Sequence, residues 1–338
     1  MTLREITEKL SAMYGPVSFE TDVTDWLKGY VGPFCDEAYT DVMGSLIAVR
    51  RCGKENAPKI LVDAHIDEIG LIVTGVENGF LRFATLGGVD PRILPALQVK
   101  VLTNPPISGI IDSMPPHALS AEEMDRPFAM DKLTIDIGMT QEEATEKVAL
   151  GTPVVFDVEP VMLGQNRLCG KSLDDRACAA IICKIMENLA GEQLNADIYY
   201  LFSAQEEVGA RGGQTAAFAI APDYAIVMDV NFAKSPDSNG YDQMDMGGGP
   251  AIAVGPNMNH KMSSELIELA KEMKMPYQID VIRAGSGTNA VPIQISRSGV
   301  ATALISLPLK YMHTPHEVMD IRDGENIVKL VTEYIRRF

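Results

Sequence analysis

From Arg167 to the end of the chain, short apolar runs alternate with amphipathic segments. The runs cover 198–202, 224–228, 277–282 and 301–306, and the amphipathic segments cover 174–189, 212–219, 263–273, 288–298 and 325–337. Apolar residues recurring at helical spacing mark one face of a helix, and short unbroken apolar runs mark buried strands. Strands alternating with helices in this way imply a mixed, mostly parallel sheet flanked by helices, an α/β fold. The run at 59–64 reads as a further strand of the same kind. Ahead of it lie two amphipathic helices, at 1–14 (Leu3, Ile6, Leu10, Met13) and 22–30 (with Trp26), and a strand pair over 37–50 that turns near Gly44.

Between residues 69 and 161 the texture changes. Short β-like runs at 71–74, 81–84, 99–102 and 107–111 are punctuated by Gly and Pro, as in a small barrel or sandwich. A loop rich in Pro, Met and Asp follows over 112–132. Thr140 then caps a helix over 140–149, with Glu142 and Glu143 in its first turn. The chain therefore divides into an α/β domain of residues 1–69 and 162–338, interrupted by a β domain of residues 70–161.

Composition narrows the function. Of 338 residues 46% are hydrophobic, enough for a sizeable core, and the net charge of −17 argues against nucleic acid or an anionic membrane as partner. The five cysteines form no CxxC pair, which fits reduced core fillers in a cytoplasmic protein. No apolar run reaches the roughly 18 residues of a membrane span. The first residues form an amphipathic helix, not a signal peptide.

Candidate chemistry sits where the apolar runs end. His65 and Asp67 follow one run, Asp174 and Asp175 open a helix, Glu206 and Glu207 follow a second run, and Asp229 follows a third. His313 comes after a fourth. In an open α/β sheet such positions converge on one edge. Two imidazoles and several carboxylates in one cleft need cations to offset their mutual repulsion. Imidazole plus carboxylate suits zinc, and also cobalt or manganese. Two metals sharing one carboxylate, each with one His and one terminal acid, leave a spare glutamate to act as base on an attacking water.

These segments, in this order, resemble the dinuclear-metal aminopeptidases of the tetrahedral, dodecameric type, which include glutamyl and deblocking aminopeptidases. The resemblance runs through Val62-Asp63-Ala64-His65-Ile66-Asp67-Glu68-Ile69-Gly70, Gly170-Lys171-Ser172-Leu173-Asp174-Asp175-Arg176 and Ser203-Ala204-Gln205-Glu206-Glu207-Val208-Gly209. It continues through Met228-Asp229-Val230 and Tyr311-Met312-His313-Thr314-Pro315-His316-Glu317-Val318. The family carries a small PDZ-like β domain between its first and second ligand motifs, where this chain has its insert. The resemblance implies a zinc-exopeptidase-like fold, with the insert as dimerisation element or lid.

Carried over by motif, it implies that Asp174 bridges two divalent ions. His65 and Asp229 would complete one, Glu207 and His313 the other. Glu206 would be the general base and acid, Asp67 would hold the His65 ring, and the Asp174–Asp175 peptide would be cis. Short peptides are the implied substrates, and a homo-oligomer, a dodecamer, the implied assembly. The loop Gly285-Ser286-Gly287-Thr288-Asn289 lacks a P-loop lysine and would edge the substrate pocket through Gly287 and Asn289. The family usually has aspartate at the position of Asn289 and arginine at that of Lys310, which leaves substrate preference open. His117, in a Pro-rich loop, is a further candidate substrate contact, whereas His260 and His316 read as surface or supporting residues.

Two other classes compete on the residues alone. A metal-free glycoside hydrolase also needs two carboxylates, and some relatives carry a cellulase label. It needs those carboxylates on opposite sides of a sugar bond, which the adjacency of Glu206 and Glu207 argues against. A non-catalytic metal-binding scaffold needs no base, and Glu206 supplies one.

Overall fold

A computed structural model describes residues 1–120, 128–236 and 243–338; the middle of the Pro-rich loop, 121–127, lies outside the described residues. The first sheet has eleven strands among the described residues. Its centre is built from β3 (Lys59–His65), with β12 (Asp197–Ser203) on one side and β13 (Tyr224–Phe232) on the other; β16 (Ala301–Lys310) follows β13. These four strands run parallel. The edges are antiparallel: β1 (Glu37–Thr40) and β2 (Leu46–Arg50) at one end, β17 (Glu317–Asp320), β11 (Arg167–Gly170) and β10 (Val161–Leu163) at the other. The sheet is thus parallel in its middle, as the strand–helix alternation predicts, and antiparallel outside it.

Side chains alternate across this sheet as the pleat requires. Ile198, Tyr200 and Phe202 enter one core, and Tyr199 and Leu201 enter the other. The larger core is covered by helices Leu3–Ala12, Thr21–Val31, Leu173–Leu189, His260–Glu272 and Ile321–Arg336. Helices Arg211–Ile220 and Ala290–Gln294 cover the opposite face. Helix Leu173–Leu189 is apolar without a break from Ala177 to Cys183, and most of its residues are buried. Its Ala177, Cys178, Ala179, Ala180 and Cys183 are small enough to let neighbouring elements approach closely. All five cysteines are free thiols, and four of them are buried.

Residues 70–156 form a closed barrel of β4 (Gly70–Glu77), β5 (Phe80–Leu86), β6 (Gln98–Val101), β7 (Ile107–Ile111), β8 (Ile135–Asp136) and β9 (Pro153–Phe156). The barrel has its own core, including Leu71, Leu81, Val99, Ile111 and Val154. Helix Gln141–Lys147 is capped by Thr140 and Glu143 in a reciprocal capping box. No helix among the described residues is long and apolar enough to cross a membrane.

Several boundaries differ from the sequence reading, each for a local reason. β13 does not end before Asp229 but runs on to Phe232, because it stays paired with β16 as far as Leu309. The helix expected over 288–298 is only Ala290–Gln294; Arg297 has φ +51, which a right-handed helix cannot include. Strands as short as β14 (Ala251–Val254) and β17 carry too little pattern to stand out, and their neighbours define them.

Candidate functional site

Strands β3 and β12 end together, and that alignment assembles the site. Ser203 pairs with His65 at the end of β12 and β3, and the Ile66 N–H donates to the Ser203 carbonyl. The segment after each strand therefore emerges beside the other. Asp67 uses this proximity: its carboxylate accepts from the backbone N–H of Glu206 at 2.9 Å and of Glu207 at 3.1 Å. Gln205, at φ +58, makes the turn, and its N–H donates to buried Glu20 at 3.2 Å. Three successive backbone amides are thus fixed by two carboxylates. Asp67 also stands 3.4 Å from His65 Nδ1, but that nitrogen makes no hydrogen bond. The turn after β12 takes its hydrogen bonds instead.

Asp174 lies at the mouth of helix Leu173–Leu189, where Asp174 and Asp175 have non-helical backbones and their peptide is cis. Its carboxylate faces two imidazoles, one per oxygen. Oδ1 is 3.1 Å from His65 Nε2, and Oδ2 is 3.4 Å from His313 Nε2. His313 Nε2 is also 3.3 Å from Glu207 Oε1. Asp229 enters from β13 beside the buried carboxylate of Asp175, which has no hydrogen-bond partner among the described residues. Ligand-capable atoms of His65, Asp175 and Asp229 lie within 4.8 Å of one another, as do those of His65, Asp174 and Glu207.

Two residues that sequence reasoning missed support this cluster. Glu317, buried on β17, accepts from the Asp174 N–H at 3.0 Å and the His313 N–H at 2.9 Å. It sets the main chain of both residues at once. Glu68 pairs with Lys171 at 2.7 Å and Arg176 at 3.1 Å in a fully buried knot, which ties the segment after β3 to the one leading into Asp174. Both glutamates fall inside the quoted motifs, yet nothing in their residue type distinguishes them from solvent-facing acids.

The electrostatics are those of a site short of positive charge. Burial pushes Asp229 and Asp175 well above the usual carboxylate range, and neighbouring carboxylates add to this. Burial likewise pushes Glu206 up to about 7 and raises Glu207. Burial would lower His65, but Asp174 and Asp67 outweigh it and hold the ring well above its ordinary value. Asp174 and Glu207 hold His313 up to about 11. Asp175's orphaned oxygens and this donor set of imidazole and carboxylate fit divalent ions, which would relieve the repulsion outright.

The remaining candidates lie elsewhere. Asn289 is 1% exposed, and its amide donates to Asp63 at 2.9 Å and Ser203 at 2.8 Å. It thus ties β3 to β12 beneath the site, which departs from its expected place at the edge of a substrate pocket. Gly287 is exposed at φ +71, and His117 is exposed in a short 3-10 turn. His316 is exposed, while the cap of helix His260–Glu272 is Asn259, with His260 its first residue. A cavity of about 770 Å³ lies at the N-terminal ends of β13 and β16, lined by Tyr224, Ala301, Tyr334 and Phe338, well away from this chemistry.

Residues 44–330 match the model of the M42 glutamyl aminopeptidase family. The chain is 35% identical to a lysyl aminopeptidase of Pyrococcus furiosus over 332 residues, covering 96% of this chain and 94% of that one. It superposes with a TM-score of 0.93 and 32% identity on a TET aminopeptidase from the marine sediment archaeon Thaumarchaeota archaeon SCGC AB-539-E09, covering 99% of this chain and 96% of that one. A TET1 peptidase of Pyrococcus horikoshii, which can assemble into a tetrahedron or a large octahedral shell, superposes at 0.87 with 28% identity and full coverage of both chains. With its ordered site segments, mixed sheet and inserted barrel, the chain belongs to the M42 glutamyl aminopeptidase family of peptidases.

Proposed function

We propose that this peptidase is a metal-dependent aminopeptidase that removes N-terminal residues from short peptides. The observation carrying the proposal is the Asp174 carboxylate, with one oxygen turned to His65 and the other to His313. In this reading Asp174 would be shared between two divalent ions, one held with His65 and Asp229 and the other with Glu207 and His313. Zinc, cobalt and manganese all suit these donors. Bound there, the ions supply an electrophile for the scissile carbonyl and a field that acidifies the attacking water.

The chain's own residues do the rest. Glu206 accepts the proton of the attacking water on its carboxylate and returns it to the leaving nitrogen. Asp67 holds the backbone of both glutamates, so that Glu207 keeps to its ligand role while Glu206 stays free to move a proton. Glu317 fixes the spacing of Asp174 and His313. In this proposal residues 1–69 and 162–338 are the catalytic domain, and the inserted segment of 70–161, which contains the barrel, is a dimerisation element or lid. Homo-oligomerisation as a dodecamer is part of the same proposal, supported by the assembling relative.

The test is a panel of aminoacyl chromogenic substrates, with N-acetylated counterparts, assayed after chelation and after adding back each metal. Cleavage of the free-amine substrates should vanish on chelation and return with zinc, cobalt or manganese, and the acetylated ones should resist. Cleavage indifferent to chelation would refute the proposal.

A further inference from the structure

The inserted barrel reaches into the site. Between β5 and β6 the chain passes Gly87, Gly88 and Val89 before a short 3-10 turn at Pro91–Ile93. The Gly88 carbonyl lies 3.0 Å from His313 Nδ1. The approach is so close that a side chain would not fit: a Cβ on Gly88 would stand 2.7 Å from His313 Nδ1 and 3.0 Å from Cε1. At Gly87, with φ +76, a Cβ would lie 2.8 Å from Ile69 and 3.3 Å from Glu207. Two consecutive glycines let the backbone lie against a histidine and a glutamate of the other domain.

This segment belongs mechanically to the barrel. Val89 and Ile93 pack against the barrel core, and Leu94 is buried within it. Asp90 caps the 3-10 turn by accepting from the Arg92 N–H at 2.9 Å. The loop is thus anchored on the barrel side just beyond Gly88.

We infer that Gly88 is a positioning residue: its carbonyl accepts the Nδ1–H of His313, fixing the tautomer and aiming Nε2 at Asp174 and Glu207. A ring nitrogen that donates to a carbonyl leaves the other nitrogen free as a ligand, and such partners set ring orientation and metal affinity. The catalytic domain holds the His313 main chain through Glu317, and the barrel holds its ring. Among the described residues His65 has no such carbonyl partner. The ion on the His313 side therefore depends on where the barrel sits, and the ion on the His65 side does not. This inference rests on the two-ion reading above.

The test compares the full-length wild type with Gly88→Ala, each stripped of metal and titrated with cobalt(II) against a competing chelator. Absorption of the bound cobalt and thermal unfolding of the metal-free proteins are recorded alongside. The wild type should bind two ions. Gly88→Ala should keep one at wild-type affinity and lose about tenfold to 100-fold for the other, with altered cobalt absorption, while metal-free unfolding reads separately the strain of the added methyl group. Two ions bound by the variant with wild-type affinities and spectrum would overturn the inference. A wild type that binds no ion would instead sink the function proposed above. Should the variant fail to fold, nitrogen-15 spectra of the zinc-loaded wild type decide: a His313 ring carrying its proton on Nδ1 supports the inference, and one carrying it on Nε2 overturns it.

Discussion

His65 and His313 face the same aspartate from very different supports. His65 is 2% exposed and ends β3, a strand flanked by β12 and β13 in the parallel centre of the sheet. His313 sits on the turn after β16 with 36% of its side chain exposed, at φ +61. Its place at the end of a central strand fixes the first, with Asp174 3.1 Å and Asp67 3.4 Å from its two ring nitrogens. The second is held by β17 through Glu317 and by the barrel through Gly88. One half of the site is therefore set once the sheet forms, and the other waits on two further segments docking correctly. A left-handed backbone at a non-glycine residue costs of order 1–3 kcal/mol and persists only where neighbours over-determine it, as they do at His313.

The largest expected effect bypasses both halves. Glu206→Gln should lower the rate by about 10²–10⁴-fold while both ions stay bound, because it removes the proton carrier and leaves the donor atoms. Steady-state kinetics beside metal analysis checks this, and normal turnover would end the role assigned to Glu206. Next comes Asp67→Asn, which strains the turn beside His65. An amide cannot accept from both the Glu206 and Glu207 N–H groups through equivalent oxygens as Asp67 does. Metal affinity should fall about tenfold to 100-fold in a chelator competition.

Glu317→Gln should act on the other half. One of the two amides it now serves would face an NH₂ group, and leaving a buried donor unpaired costs about 1–3 kcal/mol. Thermal unfolding should register that loss, and the ion on the His313 side should weaken more than its neighbour. The smallest kinetic effect belongs to Asn289→Ala. Its loss should show in stability, by about 1–3 kcal/mol, with KM nearly unchanged, because the amide serves Asp63 and Ser203. A large rise in KM with stability intact would return Asn289 to the substrate.

The contrast between the two halves also separates what the sequence reveals from what it hides. Polar residues at the ends of apolar runs or at the opening of a helix stand out, so His65, Asp174, Glu206, Glu207 and Asp229 are legible, and the alternation around them yields the parallel core. The barrel is legible as Gly- and Pro-punctuated β runs. Its role beside His313 is not, because it rests on a backbone carbonyl, and Gly88 lies 225 positions away from His313. Glu20 and Glu317 are hidden for the same reason: each acts on main-chain amides of segments far along the chain. Asn289 misleads in the opposite way, since a polar residue in a Gly-rich loop looks exposed until Asp63 and Ser203 are seen to bury it.

The account stands most directly on where the ions lie. Crystals of the protein loaded with zinc, measured at the zinc absorption edge, should give two anomalous peaks, one on each side of the Asp174 carboxylate. One should lie within bonding distance of His65 and the other of His313. A single peak, or peaks away from Asp174, would contradict it.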